Sequence, residues 1–516
     1  MKKQHLIFNL ISAIFFAIVF FKNYLGLNVL LFTLMAVAIM IYLNRPLRRT
    51  LLTNFLLLAT IISSIMFVIH NSSWNLFLNI LFLISLSTEL FYGGFKSYAH
   101  NFAESFFRIF SSQISIFLHW FPQYEMQLNQ KISNTETKSH YHFDIRKMFF
   151  VIFIPAVIFI LFFIIYAKAS SIFYNKLQGI INFVVDFISS INIVFVLLIF
   201  LGLIVGNVLY MKTVPVGIKK RDSLSGDFLT RVRKRHYQRF RNTVLKTFYQ
   251  TGVVLMILLN ILIFYFNILD VVYLWFGFKW DGSFLKEFVH EGTWLLVFSV
   301  ILSAAIALNL FKDNINFYSK NKLLKILTLI WIIQNMVMVI SVFIRNYWYI
   351  HYFNLAYKRI AVIFFLVLVF FGLITVIIKI LKLKSSYFLW RMNSLALIIV
   401  LFISGLFNWD IIIAKYNFNH ADRAFLDLKF YTKMGYSALP YTYKSSDELE
   451  KIIKIQETVM PFDIHQDYFY DVYTYESILS HRLKDFEKKI NRNKFLEWNY
   501  ADYRTKRLLK DRGIIK

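Results

Sequence analysis

The residues best suited to chemistry lie close together in the segment 269–292. Asp270, Asp281, Glu287, His290 and Glu291 place four carboxylates and one imidazole in a short stretch. Such groups act as general acids and bases, bind metals or serve glycosyl transfer. A zinc site is disfavoured, because the pair His290-Glu291 lacks the second histidine of a metalloprotease helix. We therefore predict no metal and no cofactor, and an acid–base site is one open interpretation of this segment.

Two cations further along the chain could face these carboxylates. Lys358 and Arg359 follow Tyr352 and Tyr357. Pairing with the segment 269–292 would create either the active site of a membrane-embedded transferase or a structural salt bridge. A third interpretation is an acidic loop whose charge merely follows membrane sidedness.

Polar residues inside the long apolar runs are a second group of candidates. Glu89 is the only acidic residue within such a run, and intramembrane carboxylates are functional candidates because burying them is expensive. Glu89 therefore predicts a transport or proton-relay role, or solvation at the interface, because it lies near the end of its run. The uncharged members of the group are Asn260, Asn309, Gln334 and Asn335. We expect these amides to form hydrogen bonds between helices, at about 0.6 kcal/mol each.

Apolar runs must position all of these side chains. Of the 516 residues, 58% are hydrophobic and 17% are charged, whereas about a quarter of the residues of a soluble domain are charged. A helix of about 20 residues crosses ~30 Å of hydrocarbon, so we predict an all-α, polytopic transmembrane helix bundle. Its eleven spans cover about 6–21, 29–43, 50–69, 74–92, 148–167, 191–210, 251–268, 293–311, 326–344, 360–378 and 392–408. Gly202 and Gly206 form a GxxxG pattern in the sixth span, which predicts close helix packing.

The basic residues indicate the side of the membrane on which each loop lies. All 38 Lys and Arg residues before Asn408 fall in gaps between spans, and 30 of them fall in the odd gaps, counted from the N-terminus. Cytoplasmic loops retain Lys and Arg. We therefore predict a cytoplasmic N-terminus and, after eleven crossings, an extracytoplasmic C-terminus. The N-terminal region is charged and apolar like a signal peptide, but it lacks a small-x-small cleavage site after the apolar core, so we expect an uncleaved first span.

Three segments outside the spans predict contact with the membrane surface. Apolar residues at helical spacing predict interfacial helices over 95–121 and 170–190; for the first, a lateral gate or lipid-binding groove is the alternative. The loop 211–250 holds eleven basic and two acidic residues, which predicts attraction to anionic lipid at about 1 kcal/mol per basic side chain. The alternatives for this loop are a purely topological anchor and a docking site for a cytoplasmic protein.

Composition also excludes some classes of protein. The net charge of +28 does not predict nucleic-acid binding, because the charge is spread over membrane-flanking loops. The chain has no cysteine, so disulfides, thiolate metal sites and cysteine nucleophiles are excluded.

Beyond Asn408 the composition changes to that of a small helical domain. The final 108 residues contain 19 basic and 16 acidic side chains. Ser445 and Glu448 predict a capping box that opens a helix through about Val459. Two amphipathic helices are predicted over 476–490 and 495–510. The predicted parts of the chain are a four-span segment 1–92, an amphipathic segment 93–147, a seven-span core 148–408 and a helical extracytoplasmic tail 409–516.

Several motifs occur in a fixed order, most clearly over about 284–440. They are FLKEFVHEGTW, KDNINFYSKNKLLK with WIIQN, YIHYFNLAYKRIAV, NWDIIIAKYNFN and LDLKFYTKMGYSALP. They resemble the bacterial multi-pass membrane family known as domain of unknown function 4173. The residues matching its pattern are Tyr357, Lys358, Arg359, Asn408, Asp410, Tyr416, Asn417, Asp427 and Pro440. Ala356 replaces an expected hydroxyl residue and Phe430-Tyr431 replaces Tyr-Leu. The resemblance implies the fold, the topology and a bacterial inner membrane, and it implies no activity.

Three functions are therefore open. The first is a non-enzymatic sensor, scaffold or envelope-associated component, in which the motif residues shape loops and dock the tail. The second is a transporter or flippase of a lipid-like substrate that uses Glu89 and the intramembrane amides. The third is a membrane-embedded transferase with an outward-facing site.

Overall fold

The computed structural model describes most of the chain outside 121–191. The described residues are 3–45, 50–120, 192–211, 217–231, 238–276, 284–311, 313–459, 472–492 and 494–515, with the single residues 155, 158, 159 and 162. The side chains of 3, 115–120, 238–244, 284–293 and 313–314 are outside this description. The predicted interfacial helix 170–190 lies outside the described residues, as does the predicted span 148–167 apart from those four single residues.

The described residues form eighteen α-helices and no β-strand, with one isolated bridge between Phe228 and Lys384. The helices are α1 (Lys3–Phe20), α2 (Leu27–Leu43), α3 (Leu51–His70), α4 (Ser73–Tyr92), α5 (Tyr98–Trp120), α6 (Ile193–Tyr210), α7 (Ile218–Leu224), α8 (Gln238–Asp270), α9 (Phe284–Leu310), α10 (Lys322–Phe353), α11 (Tyr357–Leu381), α12 (Ser386–Ser404), α13 (Trp409–Asn419), α14 (Leu428–Tyr431), α15 (Leu439–Thr442), α16 (Ser446–Val459), α17 (Val472–Asn491) and α18 (Tyr500–Asp511). The prediction of an all-α fold is confirmed.

Seven of the described helices are long and apolar enough to cross a membrane. They are α3, α4, α6, α8 with its π-helical extension Val271–Trp275, α10, α11 and α12. Three shorter apolar helices are α1, α2 and the part Trp294–Leu310 of α9. These ten helices coincide with ten of the eleven predicted spans. The helices α8 and α10 run beyond the predicted limits and therefore include Asp270 and Arg345.

One compact unit consists of residues 1–24, 34–47 and 104–216. In it α1 packs along α6. A Cβ atom added at Gly202 would lie 2.8 Å from Ala13 Cα, and one at Gly206 would overlap Asn9 Oδ1. Asn9 Nδ2 donates to Asn207 Oδ1 at 2.5 Å. The two glycines therefore lie at the close contact between α1 and α6.

Helix α5 directs its polar face into the protein. From residue 104 onward, Glu104 and Arg108 are buried while Phe106 and Phe110 are exposed. Arg108 Nη2 donates to Met211 O at 2.8 Å. A helix is thus present in the region predicted over 95–121, with aromatic side chains among its exposed residues.

The second compact unit consists of residues 25–33, 48–103 and 217–516. Helices α3 and α4 pack side by side, and α10 packs against α8, α9 and α11. Where α8, α9, α10 and α11 meet, the core contains buried apolar side chains, for example Met256, Ala307, Leu324, Val342 and Ile380.

In this unit, segments that lie in the even gaps between the predicted spans contact the tail. Leu27 N donates to Trp498 O at 2.8 Å, and Phe425 N donates to Tyr352 O at 2.8 Å. His70, at the end of α3, lines a cavity of about 70 Å³ together with residues of α13 and α18. Loops that the charge pattern assigns to one side of the membrane therefore meet at one end of the helices.

The odd gaps contact one another at the opposite ends of these helices. Lys96 N, between α4 and α5, donates to Asp222 Oδ2 at 2.7 Å. Ser385 N, between α11 and α12, donates to Asp227 O at 2.8 Å. The segments 93–97, 217–231 and 383–391 are joined in this way.

The tail has a second apolar core, which also includes Ile360 of α11. Tyr431, Tyr475, Phe486 and Leu509 are buried in it. Burial raises the pKa of the Tyr475 phenol, whose oxygen donates to Thr442 O at 2.8 Å.

The predicted capping box is present at the start of α16. Ser445 N donates to Glu448 Oε2 at 3.2 Å, and Glu448 N donates to Ser445 Oγ at 3.3 Å. Helices α17 and α18 lie where amphipathic helices were predicted.

Candidate functional site

The tail meets the bundle at a surface that we call the tail-docking surface. It is formed by residues 352–359 between α10 and α11, by α13, and by the segment 424–435 of the tail. Several of the motif residues lie here, among them Tyr357, Arg359, Asp410 and Asn417. The surface is built from backbone groups at helix ends, which need partners because the helices cannot supply them.

Asn417 is the central bridge of the tail-docking surface. Its side chain is buried. Leu355 N donates to Asn417 Oδ1 at 2.8 Å, and Asn417 Nδ2 donates to Leu355 O and to Tyr431 Oη, each at 2.8 Å. One amide side chain thus pairs with both peptide groups of Leu355 and also with a buried tyrosine of the tail.

Asn354 makes a second bridge in an unusual backbone conformation. Its φ of 65° and ψ of −179° are characteristic of glycine, and such a conformation costs on the order of 1–3 kcal/mol. Asn354 Nδ2 donates to Phe425 O at 3.0 Å and to Ala424 O at 3.4 Å. The contacts with the tail offset this cost, so the turn and the tail stabilise each other.

Arg359 closes the same turn from the other side. Its Nη1 donates to Phe353 O at 2.5 Å and also to Asn354 O. Its guanidinium carbon lies 4.1 Å from the centre of the Tyr349 ring. Arg359 therefore satisfies carbonyls at the end of α10 and stacks on an aromatic ring. Its predicted pairing with carboxylates of 269–292 stays a prediction, because the side chains of Glu287 and Glu291 lie outside the described part. Lys358 beside it is exposed.

Tyr357 and Asp410 connect the start of α11 to α13 and to the tail. Tyr357 Oη donates to Asp410 Oδ1. The other carboxylate oxygen, Oδ2, is so close to Gly435 that a Cβ atom at this position would overlap it. The φ of −60° at Gly435 is accessible to any residue. Glycine is therefore needed here because no space is left for a side chain, and not because of the backbone conformation.

The other motif residues shape short elements of the tail. Asn408 Oδ1 accepts from Ile411 N at 3.2 Å and caps α13. Tyr416 O accepts from His420 Nδ1 at 2.6 Å. Pro440 is buried in the first turn of α15, and its carbonyl accepts from Arg512 Nη1.

Asp427 caps the short helix α14. Its Oδ1 accepts from Phe430 N at 3.2 Å. Burial raises the pKa of the Asp427 carboxyl, although the amides of Phe430 and Lys429 act in the opposite direction. Asp427 thus acts as a helix cap, and its carboxylate accepts hydrogen bonds from the backbone amides of α14.

The candidates of the segment 269–292 are not brought together by any described contact. Asp281 lies outside the described residues. Glu287, His290 and Glu291 belong to α9, but their side chains lie outside the described part.

Asp270 also belongs to this segment, and its partner in a buried ion pair was not predicted. Arg345 Nη2 lies 2.6 Å from Asp270 Oδ1, and the two side chains are only 5% and 8% exposed. Both residues had been assigned to loops. The sequence signal that could have identified them is helical spacing that continues beyond the apolar runs. Arg345 lies one helical turn after Ser341, and Ser341 Oγ accepts from Trp275 Nε1 at 2.9 Å.

Glu89 is buried and surrounded by hydrogen-bond donors. The donors are Gly94 N at 2.9 Å, Thr50 Oγ1, Thr53 Oγ1 and Asn101 Nδ2 at 3.3 Å, and Phe95 N at 3.4 Å. The carboxylate therefore fastens the start of α3 and the turn 93–97 to the end of α4.

The predicted intramembrane amides join α8 to α10. Gln334 Nε2 donates to Asn260 Oδ1 at 2.8 Å, and Asn260 Nδ2 donates to Leu327 O at 3.1 Å. Asn335 is buried and donates to Trp331 O within its own helix, whereas Asn309 is exposed. Asn260 and Gln334 thus form an interhelical contact of the kind that helix packing in lipid uses.

A second polar cluster at the odd gaps was also missed. Asp222 is fully buried and accepts from Lys96 N at 2.7 Å and from Tyr387 Oη at 2.8 Å. His100 Nδ1 lies 3.1 Å from Asp222 Oδ1, the same oxygen that accepts from Tyr387. The sequence predicted only a basic loop here, because no neighbouring residue distinguishes Asp222 from an acid exposed to solvent.

The fold and the tail-docking surface define an all-α integral membrane protein with a helical tail fastened to one end of its bundle. A family model described as Domain of unknown function (DUF4153) matches residues 10–445, and the chain belongs to this family. Neither the curated proteins nor the solved structures contain a significant match.

The predicted resemblance to domain of unknown function 4173 was wrong, because the matching model is that of a different family. Aromatic and basic residues next to apolar helices are demanded of membrane proteins in general. Such motifs therefore discriminate poorly between families of multi-pass proteins.

Proposed function

We propose that the protein is a non-enzymatic scaffold of the bacterial cell envelope, whose bundle holds the tail in one fixed position. The observation that carries this proposal is the use of the motif residues. The Asn417 side chain makes three hydrogen bonds, all at the tail-docking surface. Asp410 and Asn408 serve the same region. Side chains committed to holding two parts together suit a scaffold better than a reaction.

The scaffold would lie in the inner membrane with a cytoplasmic N-terminus and an extracytoplasmic tail. Support comes from the excess of Lys and Arg in the odd gaps. The contacts of even gaps with the tail agree with this topology, because Leu27 and Tyr352 both bond to it.

Cysteine labelling tests this sidedness, since the chain contains no cysteine of its own. Asn419 and Thr230 are exposed, on the tail and in an odd gap respectively. A membrane-impermeant maleimide is expected to label N419C in intact cells and T230C only after the cells are permeabilised. The reverse pattern would overturn the topology.

Trypsin cleavage after the exposed Arg423 tests the fixed docking of the tail. The substitution Asn417→Leu removes three hydrogen bonds and leaves buried groups of Leu355 and Tyr431 without their partner. A cost of about 2–3 kcal/mol should raise the cleavage rate roughly 30- to 160-fold, when cleavage follows the population of the open state.

Asn419→Leu is the matched control, because Asn419 lies exposed on the same helix α13. It is expected to leave the cleavage rate unchanged. In sealed vesicles the wild-type rate should not respond to a proton gradient, because a scaffold has no transport cycle. Gradient-dependent cleavage would favour transport, and rapid cleavage of the wild type would contradict fixed docking.

A further inference from the structure

A cavity at the odd-gap ends of the helices has features of a ligand site. It has a volume of about 430 Å³ and is open to the surroundings. Its lining residues are His100, Arg221, Leu224, Ser225, Tyr387 and Trp390. They come from α5, from the region of α7 and from the start of α12.

The acids near this cavity are committed to other groups. Asp222 is buried beneath it and bonded to Lys96 N and Tyr387 Oη. Asp227 pairs with Arg391 at 2.5 Å. Arg221 is exposed, and within the described residues it has no ion-pair partner. The charge that faces a ligand is therefore positive.

The rim of the cavity is apolar. Leu224 is 77% exposed and Trp390 is 68% exposed. Trp390 lies in the second turn of α12, a helix long and apolar enough to cross a membrane. Tryptophan is enriched where spans meet lipid headgroups, and exposed leucine is stable there because it can contact acyl chains.

We propose that this cavity binds the phosphodiester headgroup of an anionic phospholipid, with Arg221 facing the phosphate and with Leu224 and Trp390 against the acyl chains. His100 has its Nδ1 turned toward Asp222, so Nε2 is the nitrogen that serves the ligand. A lipid fits better than a free anion, because the apolar rim would have no counterpart in inorganic phosphate. The site goes beyond the scaffold function and does not depend on it.

Native mass spectrometry of the full chain in neutral detergent tests the site with short-chain phosphatidylglycerol as the probe. Arg221→Gln is expected to weaken phosphatidylglycerol binding roughly fivefold, the equivalent of about 1 kcal/mol per basic side chain at the surface. Trp390→Ala is expected to weaken it as well while the net charge stays constant. Both side chains are exposed, so neither change threatens the fold.

Arg231→Gln is the matched control, because Arg231 is exposed in the same gap and does not line the cavity. It should leave binding within twofold of the wild type. An equal loss in R231Q and R221Q would show diffuse attraction and overturn the proposal. Displacement of the lipid by inorganic phosphate at equal concentration, or equally tight binding of phosphatidylcholine, would also overturn it.

Discussion

Replacing Arg345 alone by methionine is expected to destabilise the bundle by about 3–5 kcal/mol, because it leaves a buried carboxylate without its counter-charge. Arg345 and Asp270 lie 2.6 Å apart between α10 and α8, and both are almost completely buried. Breaking such a pair costs far more than the pair itself contributes, since the remaining charge keeps its desolvation penalty.

The double variant Arg345→Met with Asp270→Asn separates these two quantities. It removes both charges and is expected to recover most of the stability lost in R345M. The free energy of unfolding, measured in mixed micelles for the wild type, both single variants and the double variant, gives the coupling. The exposed pair Arg507 and Asp511, 4.0 Å apart, is the control and should show no measurable coupling. Additive effects at Arg345 and Asp270 would contradict the prediction.

Replacing Glu89 by leucine is expected to cost about 3 kcal/mol or more. Five donors converge on this carboxylate, and a buried donor without a partner costs about 1–3 kcal/mol. The amides of Gly94 and Phe95 are the most affected, because they belong to a turn that no helix satisfies. The start of α3 loses its connection to α4 as well, through Thr50 and Thr53.

Glu89→Gln is the informative companion of this variant. It keeps one acceptor oxygen and should therefore be more stable than E89L, with hydrogen exchange at Gly94 and Phe95 closer to that of the wild type. The same measurements in E89L should show rapid exchange at both amides. A loss below about 1 kcal/mol in E89L, against the expected cost of its unpaired donors, would disprove the structural role. It would return Glu89 to the candidates for proton relay.

Local patterns predicted the helices well. Ten of the eleven predicted spans coincide with apolar helices, and the capping box at Ser445 is present. Both signals act over a few residues, since hydrophobic length and end capping depend on neighbours in the sequence. The predicted limits were less accurate, because an α-helix continues past its apolar run when polar residues find partners, as Asp270 and Arg345 do.

The candidate site was predictable as a set of residues and not as a set of contacts. Asn417 and Asp410 were identified by their motif, yet Asn417 pairs with Leu355, 62 positions away. The hydrogen bonds from Arg359 to the carbonyls of Phe353 and Asn354 were not predicted. Carbonyls at helix ends are common to all residue types, so the sequence carries no mark of which of them needs a donor.

The sequence by itself determined the helical class and the positions of the ten described apolar helices, because both follow from hydrophobic length along the chain. Only the tertiary structure decided which polar groups meet. It joined Asp222 to two distant segments, at Lys96 with His100 and at Tyr387, and fastened the tail to the turn at Asn354. The physical reason is that burial creates the need for these partners, and burial depends on how helices far apart in the sequence pack together.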